Sequence, residues 1–290
     1  MSRVFFISPH PDDETLSMGI AMLYYLAAGS EVHLVSMSRG GALGVANTLN
    51  GLQGCTAASL HPYTHRAAVE GYPAGFTVDM VGEARLLEAR SALGSMGMIP
   101  PNSPTALGTV VHHDINLPSD WGCGGCASST TPATEAGIQQ AYDAIKAIVD
   151  EHPNSFFHTM SETDDHHDHH ACGFALRRLK NSEEVRPNSG GLTYAQSLVN
   201  ARFFVSRLYW AISQPDNQYP EDVASMPDLR WFNAGPRLTE FQNWMRNQVQ
   251  KPYKAWNPAA GSYAIGYHQV ASQFEANFGP SASIANLWHA

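Results

Sequence analysis

The first 38 residues alternate between strand-like and helix-like patterns, and few folds accommodate that order. A short apolar run at residues 3–8 (RVFFIS) is typical of a buried strand, and residues 31–38 (EVHLVSMS) repeat the pattern. Between them, residues 14–28 carry apolar side chains at helical spacing, and Gly29 stands where a helix C-cap would. Because a strand, a helix and a strand within forty residues form the signature of a βαβ unit, the sequence predicts a parallel pair of strands.

The same alternation continues to about residue 180. The predicted strands are residues 109–116 and 155–161, and the predicted helices are residues 83–98, 134–151 and 170–179. Residues 39–84 are rich in Gly, Thr and His and are predicted to be a long irregular loop, which compact domains tolerate mainly where the loop is functional. We therefore expect an α/β fold with a Rossmann-like, mostly parallel sheet and helices on both faces.

The regular alternation of predicted strands and helices ends at about residue 180. Residues 201–214 are predicted to form one long strand and residues 236–250 a helix, and the last ninety residues hold five of the six Trp. No long Ser/Gly-rich linker separates this part from the rest. We therefore expect a single domain over residues 1–290, with a motif-bearing core at 1–180 and an aromatic-rich C-terminal extension at 181–290.

Composition argues against several classes of function. Charged residues make up 15% of the chain, below the roughly 25% usual for soluble domains, and the net charge is -9. An acidic balance argues against a nucleic-acid backbone or an anionic membrane as the main partner, since both require basic patches. No apolar run approaches the ~18 residues of a membrane span, and the N-terminus lacks the pattern of a secretory signal. We therefore expect a cytoplasmic protein.

Cysteine and histidine usage points to metal chemistry rather than to a disulfide framework. In a cytoplasm the four cysteines are expected to be reduced thiols. Cys123 and Cys126 have CxxC spacing in a Gly-rich segment without a second CxxC, which predicts two loop thiols or a local disulfide. The fourteen histidines are the more informative excess, because His is the commonest ligand of transition metals.

The strongest candidate for a functional motif is residues 8–14 (SPHPDDE), which lie between the first predicted strand and the first predicted helix. Ligands of an open parallel α/β sheet bind at the carboxyl ends of its strands, where this turn lies. Three acids and one His in five residues are costly unless they are paired or hold a metal. A helix N-cap would explain one of these acids but not the whole motif. We therefore treat residues 10–14 as a candidate ligand site.

A second cluster, residues 164–170 (DDHHDHH), follows the predicted strand at 155–161 and precedes an apolar helix. Histidines bind transition metals, and neighbouring carboxylates orient them through the second ring nitrogen. An exposed His tract that binds metals adventitiously is the alternative. Both turns lie at the same edge of the predicted sheet, which favours one metal site built from both. A catalytic zinc takes about three protein ligands and keeps one position open for water.

The pairing of these motifs resembles the PIG-L/LmbE family of zinc-dependent N-acetylglucosaminyl de-N-acetylases. The resemblance rests on residues 10–14 (HPDDE) after the first strand and on a later His-x-Asp-His, and it covers roughly the first 180 residues. Members of this family remove acetyl groups from compounds that contain N-acetylglucosamine. The resemblance therefore implies a metal-dependent amidohydrolase that acts on linear amides and carries one Zn²⁺ per chain.

The first motif supplies two metal ligands and a base if the family's roles are carried over. The resemblance implies that His10 and Asp13 bind the metal. It also implies that Asp12 is the general base, which accepts a proton from the water that attacks the acetamide carbonyl. The products would be acetate and a free glucosamine amine.

The second motif supplies the third ligand. His-x-Asp-His aligns with residues 166–169, which makes His169 the ligand and places His166 beside the developing oxyanion or the leaving amine. Because the family commonly has Pro where His167 stands, a second register remains open. In that register His167 and His170 take the two roles.

Two weaker matches extend the predicted site to the substrate. Arg85, in Arg85-x-x-Glu88, resembles a position on the family's helix near the substrate. Asp114 falls where the family tends to place an acid that hydrogen-bonds sugar hydroxyls. The plain structural alternatives are a helix ion pair for Arg85 and a strand-end turn for Asp114.

The C-terminal extension bears on the choice of substrate. Residues 203–267 carry thirteen aromatic side chains, most of them expected in the core and some expected along a roomy apolar rim. This part is similar to the de-N-acetylases of teicoplanin-type glycopeptide antibiotic biosynthesis, which implies an N-acetylglucosamine carried on a glycopeptide. The alternative within the family is a small N-acetylglucosaminide, as in the mycothiol pathway.

Two other classes of protein fit the sequence less well. A nucleotide-binding α/β module is disfavoured, because no G-x-G-x-x-G follows the first strand and no P-loop motif is present. A non-catalytic metal-binding protein built around residues 166–170 would leave the acids of residues 10–14 unexplained. A small-molecule glycoside or glycopeptide is therefore the expected partner.

Overall fold

Strands and helices alternate through most of the described chain. The structure, a computed structural model, describes residues 2–55, 64–72, 75–105, 107–124, 132–164, 166–205, 228–278 and 286–290. The strands are β1 (Arg3–Ser8), β2 (Glu31–Ser38), β3 (Thr109–Leu117), β4 (Ser155–Met160), β5 (Arg202–Phe204), β6 (Arg230–Trp231), β7 (Trp256–Asn257), β8 (Ser262–Tyr263) and β9 (Leu287–His289). The helices are α1 (Gly19–Ala27), α2 (Leu43–Leu49), α3 (Ala67–Glu70), α4 (Val78–Gly97), α5 (Glu135–Glu151), α6 (His167–Lys180), α7 (Tyr194–Ser197), α8 (Leu238–Trp244), α9 (Lys251–Lys254) and α10 (Ile265–Phe278).

Seven strands form one sheet in the order β3-β2-β1-β4-β5-β9-β6. The first five in this order pair in parallel, whereas β9 runs antiparallel to both β5 and β6. The prediction of a Rossmann-like, mostly parallel sheet is confirmed. β7 and β8 form a separate small antiparallel hairpin.

Helices cover both faces of the sheet, as predicted. Alternate residues of β1 show the division: Val4 and Phe6 face a core that includes α1, α4 and α8, whereas Phe5 and Ile7 face a core that includes α5 and α6. All four side chains are fully buried. A strand whose side chains are buried on both faces is what the continuous apolar run predicts.

The first βαβ unit follows its predicted boundaries, with one local departure. The helix opens with a π-helical turn at Glu14–Met18 before the regular α1. Gly29 follows the helix with φ +84°, a left-handed conformation that glycine adopts without steric cost, and its N–H donates to the Leu26 carbonyl oxygen at 2.9 Å. The chain can therefore turn sharply from α1 into β2.

The prediction of an irregular loop over residues 39–84 is wrong. The segment contains α2, α3 and the first two turns of α4, which begins at Val78 rather than at residue 83. Val45 and Leu49 of α2 are buried in a small core with Phe76 and Val81. Short helices such as these are stabilised by tertiary contacts rather than by a repeating pattern, which explains why periodicity did not indicate them.

The C-terminal extension adds strands to the same sheet. Of the long strand predicted at residues 201–214, the structure describes residues 201–205, where β5 lies, and residues 206–214 are outside the described part. The helix predicted at residues 236–250 is present as a 3₁₀ turn (Gly235–Arg237), α8 and a π-helical turn (Met245–Val249). No helix in the described ranges is long and apolar enough to cross a membrane.

The cysteines only partly match the expectation of reduced thiols. Cys172 is a buried free thiol in α6. Cys123, in contrast, is disulfide-bonded, and Cys126 lies outside the described residues.

Glu88 of α4 caps α10. Its two carboxylate oxygens accept hydrogen bonds from the backbone N–H groups of Ile265 (2.6 Å) and Gly266 (2.9 Å), and its side chain is buried. The first turn of a helix has no intrahelical acceptors for its N–H groups, so a buried helix start requires such a partner. Glu88 therefore joins the C-terminal extension to the motif-bearing core.

We expect Glu88→Ala to lower the free energy of unfolding by about 1–3 kcal/mol, because the substitution leaves two buried N–H groups without acceptors. Urea unfolding followed by circular dichroism measures this change. The control is Glu83→Ala on the same helix, whose side chain is 62% exposed and which should cost under about 0.5 kcal/mol. Equal unfolding midpoints for wild type and Glu88→Ala would contradict the capping role.

Candidate active site

The two acidic, histidine-bearing turns meet at one point of the sheet. The first follows β1 and the second follows β4, and these strands pair in parallel over Arg3–Ile7 and Ser155–Thr159. The chain moves from β1 to β2 on one side and later returns to β4 on the other, so the strand order reverses here. Such a switch point is where open α/β sheets bind ligands.

Three predicted metal ligands converge in this crevice. Asp13 Oδ2 lies 3.3 Å from His10 Nδ1 and 3.1 Å from His169 Nε2, and the two ring nitrogens are 3.3 Å apart. All three side chains are buried. One carboxylate and two imidazoles that face one another at this distance fit a divalent cation with three protein ligands.

The pKa values of His10, Asp13 and His169 are shifted in the directions that favour positive charge on the histidines and negative charge on Asp13. Burial raises the pKa of Asp13, but the nearby His169 and the hydrogen bonds from both histidines outweigh it and lower the pKa well below its usual value. Burial lowers the pKa of His10, yet its hydrogen bonds to Asp13 and Asp168 raise it overall. The pKa of His169 is likewise raised, against burial, by Asp13 and Asp164. The carboxylates at this point therefore favour positive charge on the groups that face them.

A carboxylate holds the outward nitrogen of each histidine. His10 Nε2 lies 2.9 Å from Asp168 Oδ2, and His169 Nδ1 lies 2.8 Å from Asp164 Oδ2. Asp168 is fully buried and also accepts a hydrogen bond from the Gly122 N–H at 2.6 Å. Carboxylates in these positions fix the tautomer and aim the other nitrogen's lone pair at the shared space. Asp164 and Asp168 thus orient the histidines rather than face the shared space themselves.

Asp12 sits beside this triad in a strained backbone conformation. Its φ is +107°, which for a residue other than glycine costs on the order of 1–3 kcal/mol. Its N–H donates to Glu14 Oε2 at 2.8 Å, and Glu14 in turn accepts a hydrogen bond from the Tyr253 hydroxyl. Burial raises the pKa of Asp12 to about 6, with Arg85 acting in the opposite direction. The strain directs a carboxylate of raised basicity into the site.

His166 forms the other wall and is the N-cap of α6. Its Nδ1 accepts a hydrogen bond from the Asp168 N–H at 3.3 Å, so its proton is carried on Nε2. Burial and the neighbouring His10 and His169 rings lower its pKa far below the usual value. His10, His166 and His169 offer nitrogens within 4.8 Å of one another. His166 is therefore a neutral hydrogen-bond donor at the edge of the triad.

His167 and His170, the histidines of the alternative register, are not among the residues that line the crevice. His167 is fully buried, with Nε2 3.3 Å from Asp120 Oδ1. His170 Nδ1 accepts a hydrogen bond from the Ala133 N–H, and its ring packs on Phe174. Neither lines the crevice, whereas His166 and His169 do. The geometry favours the register in which residues 166–169 form the motif.

Arg85 lines the crevice, but its guanidinium group is already hydrogen-bonded to other groups of the protein. The side chain is buried and donates to Asp12 Oδ2 at 2.8 Å, to the Pro11 carbonyl oxygen at 2.7 Å and to the Gly40 carbonyl oxygen at 2.6 Å. A Cβ at Gly40 would lie 2.2 Å from Arg85 Nη1, and Gly40 has φ +60°, so the close approach requires glycine. Arg85 therefore fixes the carboxylate of Asp12.

Asp114 is not among the residues that line the crevice. Its Oδ2 accepts two hydrogen bonds from Arg39, at 3.0 Å from Nε and 2.8 Å from Nη2. Arg39 also pairs with Glu83. In this structure Asp114 contacts Arg39 at the end of β3 rather than the space beside the triad.

Sequence patterns missed the wall that the C-terminal extension contributes. The described lining residues are His10, Asp12, Asp13, Gly40, Gly41, Arg85, Ser119, Asp120, His166, His169, Gln269, Val270 and Gln273. The last three lie on α10, where Val270 interrupts the helix with φ -135° and ψ 41°. No local motif marks these residues; a kinked helix packed across the switch point brings them in.

The expected aromatic rim is not found in the described part of the chain. None of the described lining residues is Phe, Tyr or Trp. Trp244 packs against the core beside α1, and Trp256 packs with Tyr72 and Tyr263. Trp210 lies outside the described residues. The crevice is lined mainly by polar groups, which suits a hydroxylated ligand.

Sequence comparison places the motif-bearing core in a known family. The family profile described as "PIG-L: GlcNAc-PI de-N-acetylase" matches residues 5–180. A 1D-myo-inositol 2-acetamido-2-deoxy-alpha-D-glucopyranoside deacetylase from Mycolicibacterium smegmatis is 27% identical over 153 residues, which cover 51% of this chain and 42% of that protein. The protein of the same name from Mycobacterium sp. (strain KMS) is 26% identical over 155 residues, 51% of this chain and 40% of its own. The matches thus span less than half the length of these relatives.

Structural comparison extends the similarity to the whole chain. A deacetylase in the biosynthesis pathway of teicoplanin, solved as a bog complex, superposes with a TM-score of 0.54 at 15% identity, covering 99% of this chain and 97% of that one. The zinc-inhibited form of a teicoplanin deacetylase gives a TM-score of 0.53 at 15% identity, with the same coverage. At this identity the two structures establish a shared fold, including the region of the C-terminal extension.

We expect Asp168→Asn to weaken metal binding at the triad by about 10–100-fold, because the variant loses the charge that orients His10 and raises its basicity. Competition with a chromophoric chelator measures the affinity. Asp143→Asn, on the exposed face of α5, is the matched control and should bind metal as the wild type does. An unchanged affinity in Asp168→Asn would contradict the orienting role.

Proposed function

The chain belongs to the PIG-L family of GlcNAc-PI de-N-acetylases, and on that basis we propose that it is a metal-dependent hydrolase that removes the acetyl group from an N-acetylglucosamine moiety. The observation that carries the proposal is the convergence of His10, Asp13 and His169 within 3.3 Å at the switch point of the sheet. Asp12 and His166 stand on the rim of the same crevice. The site thus combines a cation-binding triad with a base and a hydrogen-bond donor.

The metal ligands in this proposal are His10 Nδ1, an oxygen of Asp13 and His169 Nε2. A divalent metal such as zinc, when bound, lowers the pKa of a coordinated water to about 7 and polarises an amide carbonyl. Asp164 and Asp168 keep the two histidines in the tautomers that ligation requires. One such ion per chain is sufficient for the reaction.

Asp12 acts as the general base. Its carboxylate removes a proton from the attacking water as the new C–O bond forms at the acetamide carbon. Arg85 holds this carboxylate by the 2.8 Å contact and so acts as a positioning residue. The C–N bond then breaks, and the proton held by Asp12 is available to the leaving amine. The products are acetate and the free amino sugar.

His166 stabilises the oxyanion that develops on the carbonyl oxygen. A neutral imidazole with its proton on Nε2 donates a hydrogen bond without the cost of placing another cation beside the metal. Asp120, Gln269 and Gln273, which line the same crevice, provide acceptors and donors for sugar hydroxyls. We assign substrate recognition to these residues, and a supporting role through Arg39 to Asp114.

Two classes of compound can carry the N-acetylglucosamine in this proposal. An N-acetylglucosamine on a glycopeptide intermediate is the first, since proteins of the teicoplanin pathway share the fold over nearly the full chain. A small N-acetylglucosaminide is the second, since the relatives detected by sequence are named for such a compound. The polar lining of the crevice suits the sugar in either case.

We expect Asp12→Asn to lower kcat for acetate release by about 10²–10⁴-fold while metal content stays at the wild-type level, because the amide cannot accept the water's proton. His169→Ala should instead lose metal and activity together. Asp143→Asn is the control for an exposed acid. Near-full activity in Asp12→Asn would disprove the base assignment.

We expect the wild-type protein to release acetate faster from a glycopeptide that carries N-acetylglucosamine than from N-acetylglucosaminyl-inositol. Comparing kcat/KM for the two substrates, with Asp12→Asn as the background control, measures the preference. A higher kcat/KM for the small glycoside would transfer the assignment to that substrate class. Tight metal binding with no acetate released from either substrate would favour a non-catalytic metal-binding protein.

A further inference from the structure

A second group of metal-ligating side chains lies apart from the crevice. Cys55 follows α2, His65 precedes α3, and His268 stands in the first turn of α10. One ligand atom from each of the three lies within 4.8 Å of the other two. Both histidines are buried, Cys55 is partly buried, and none of them lines the crevice of the first triad.

The hydrogen bonds of the two histidines set their tautomers. His65 Nδ1 lies 3.1 Å from each carboxylate oxygen of Glu70, and His268 Nδ1 lies 2.8 Å from the Ala264 carbonyl oxygen. Both partners accept hydrogen bonds, so each Nδ1 carries a proton. A carboxylate or a backbone carbonyl on the outer nitrogen is the usual support of a metal-bound histidine.

The inner nitrogens then face each other as lone pairs. His65 Nε2 and His268 Nε2 are 2.9 Å apart in a buried setting. Two lone pairs at that distance repel unless a cation lies between them. A tetrahedral zinc with Zn–N bonds of about 2.0–2.1 Å holds two nitrogens about 3.3 Å apart, so the rings need to separate by only a few tenths of an ångström.

We propose that Cys55, His65 and His268 form a second metal site that binds zinc through one thiolate and two imidazoles. This donor set of one sulfur and two nitrogens is one that zinc favours over magnesium or calcium. Aromatic side chains enclose the site: Trp256 packs on both histidine rings, and Tyr72 packs on His65. The competing explanation for the short Nε2 contact is a proton shared between the two histidines.

The proposed ion joins two distant parts of the chain. It would connect Cys55 and His65, which follow α2 in the sequence, to α10, whose next residues after His268 are Gln269 and Val270 of the crevice wall. The ion would therefore hold the first turn of α10, and with it the wall of the crevice, in place. Metal sites of this kind contribute directly to folding free energy, because the unfolded chain does not present the ligands together.

Cobalt substitution distinguishes this site from the first triad, since only this site contains sulfur. We expect the full-length protein, stripped of metal and reloaded with Co²⁺, to bind two equivalents and to show a near-ultraviolet thiolate-to-cobalt charge-transfer band. Cys55→Ala should lose the band and one equivalent. Cys172→Ala, which removes the buried thiol of α6, should keep both.

The wild-type measurement decides the proposal even if a variant fails to fold. One equivalent of Co²⁺ or Zn²⁺ and no thiolate band would overturn it in favour of the shared proton. A band that persists in Cys55→Ala would also overturn it. The site is independent of the proposed deacetylation: His169→Ala should keep the band, and a protein inactive on every acetylated sugar could still bind the second ion.

Discussion

The parallel pairing of β1 with β4 is the interaction on which the rest of the site depends. Two turns about 150 positions apart in the sequence become neighbours because these strands pair from Arg3 with Ser155 to Ile7 with Thr159. Burial on both faces holds that register, since a slip of one residue would move every side chain of β1 to the opposite face. The crevice is thus a consequence of sheet order, and the chemistry comes from the residues that follow each strand.

The crevice buries several carboxylates, and each of them has hydrogen-bond or ion-pair partners that offset the cost of burial. Arg85 pairs with Asp12, the Gly122 N–H donates to Asp168, and a tyrosine hydroxyl donates to Glu14. Asp13 differs, because its partners are two imidazoles that carboxylates hold in place. A buried carboxylate between two oriented histidines is stable only with a cation, whether protons or a metal. This requirement ties the stability of the crevice to its proposed activity.

Local sequence patterns predicted the strands and turns that depend on residues close together in the sequence. The strand-like runs predicted β1 to β4 nearly to the residue, and the turns after β1 and β4 contain the three side chains that converge in the crevice. The contacts of Arg85, Asp114 and Gln269 could not be predicted in this way. Arg85 meets the Pro11 and Gly40 carbonyl oxygens only once α4 packs across the first turn, and Gln269 depends on a helix more than 250 residues beyond that turn. Contacts of such sequence separation leave no periodic signal.

α10 links the C-terminal extension to the chemistry in three ways that reinforce one another. Glu88 caps its N-terminus, His268 places it beside Cys55 and His65, and its kink at Val270 turns Gln269 and Gln273 toward the triad. A helix held at its first turn from two sides has little freedom to shift the residues that follow. The proposed recognition of a sugar in a polar crevice requires rigid support of this kind, because a displacement of one ångström weakens each hydrogen bond. Among the described residues, the extension therefore contributes to the crevice through the placement of a helix.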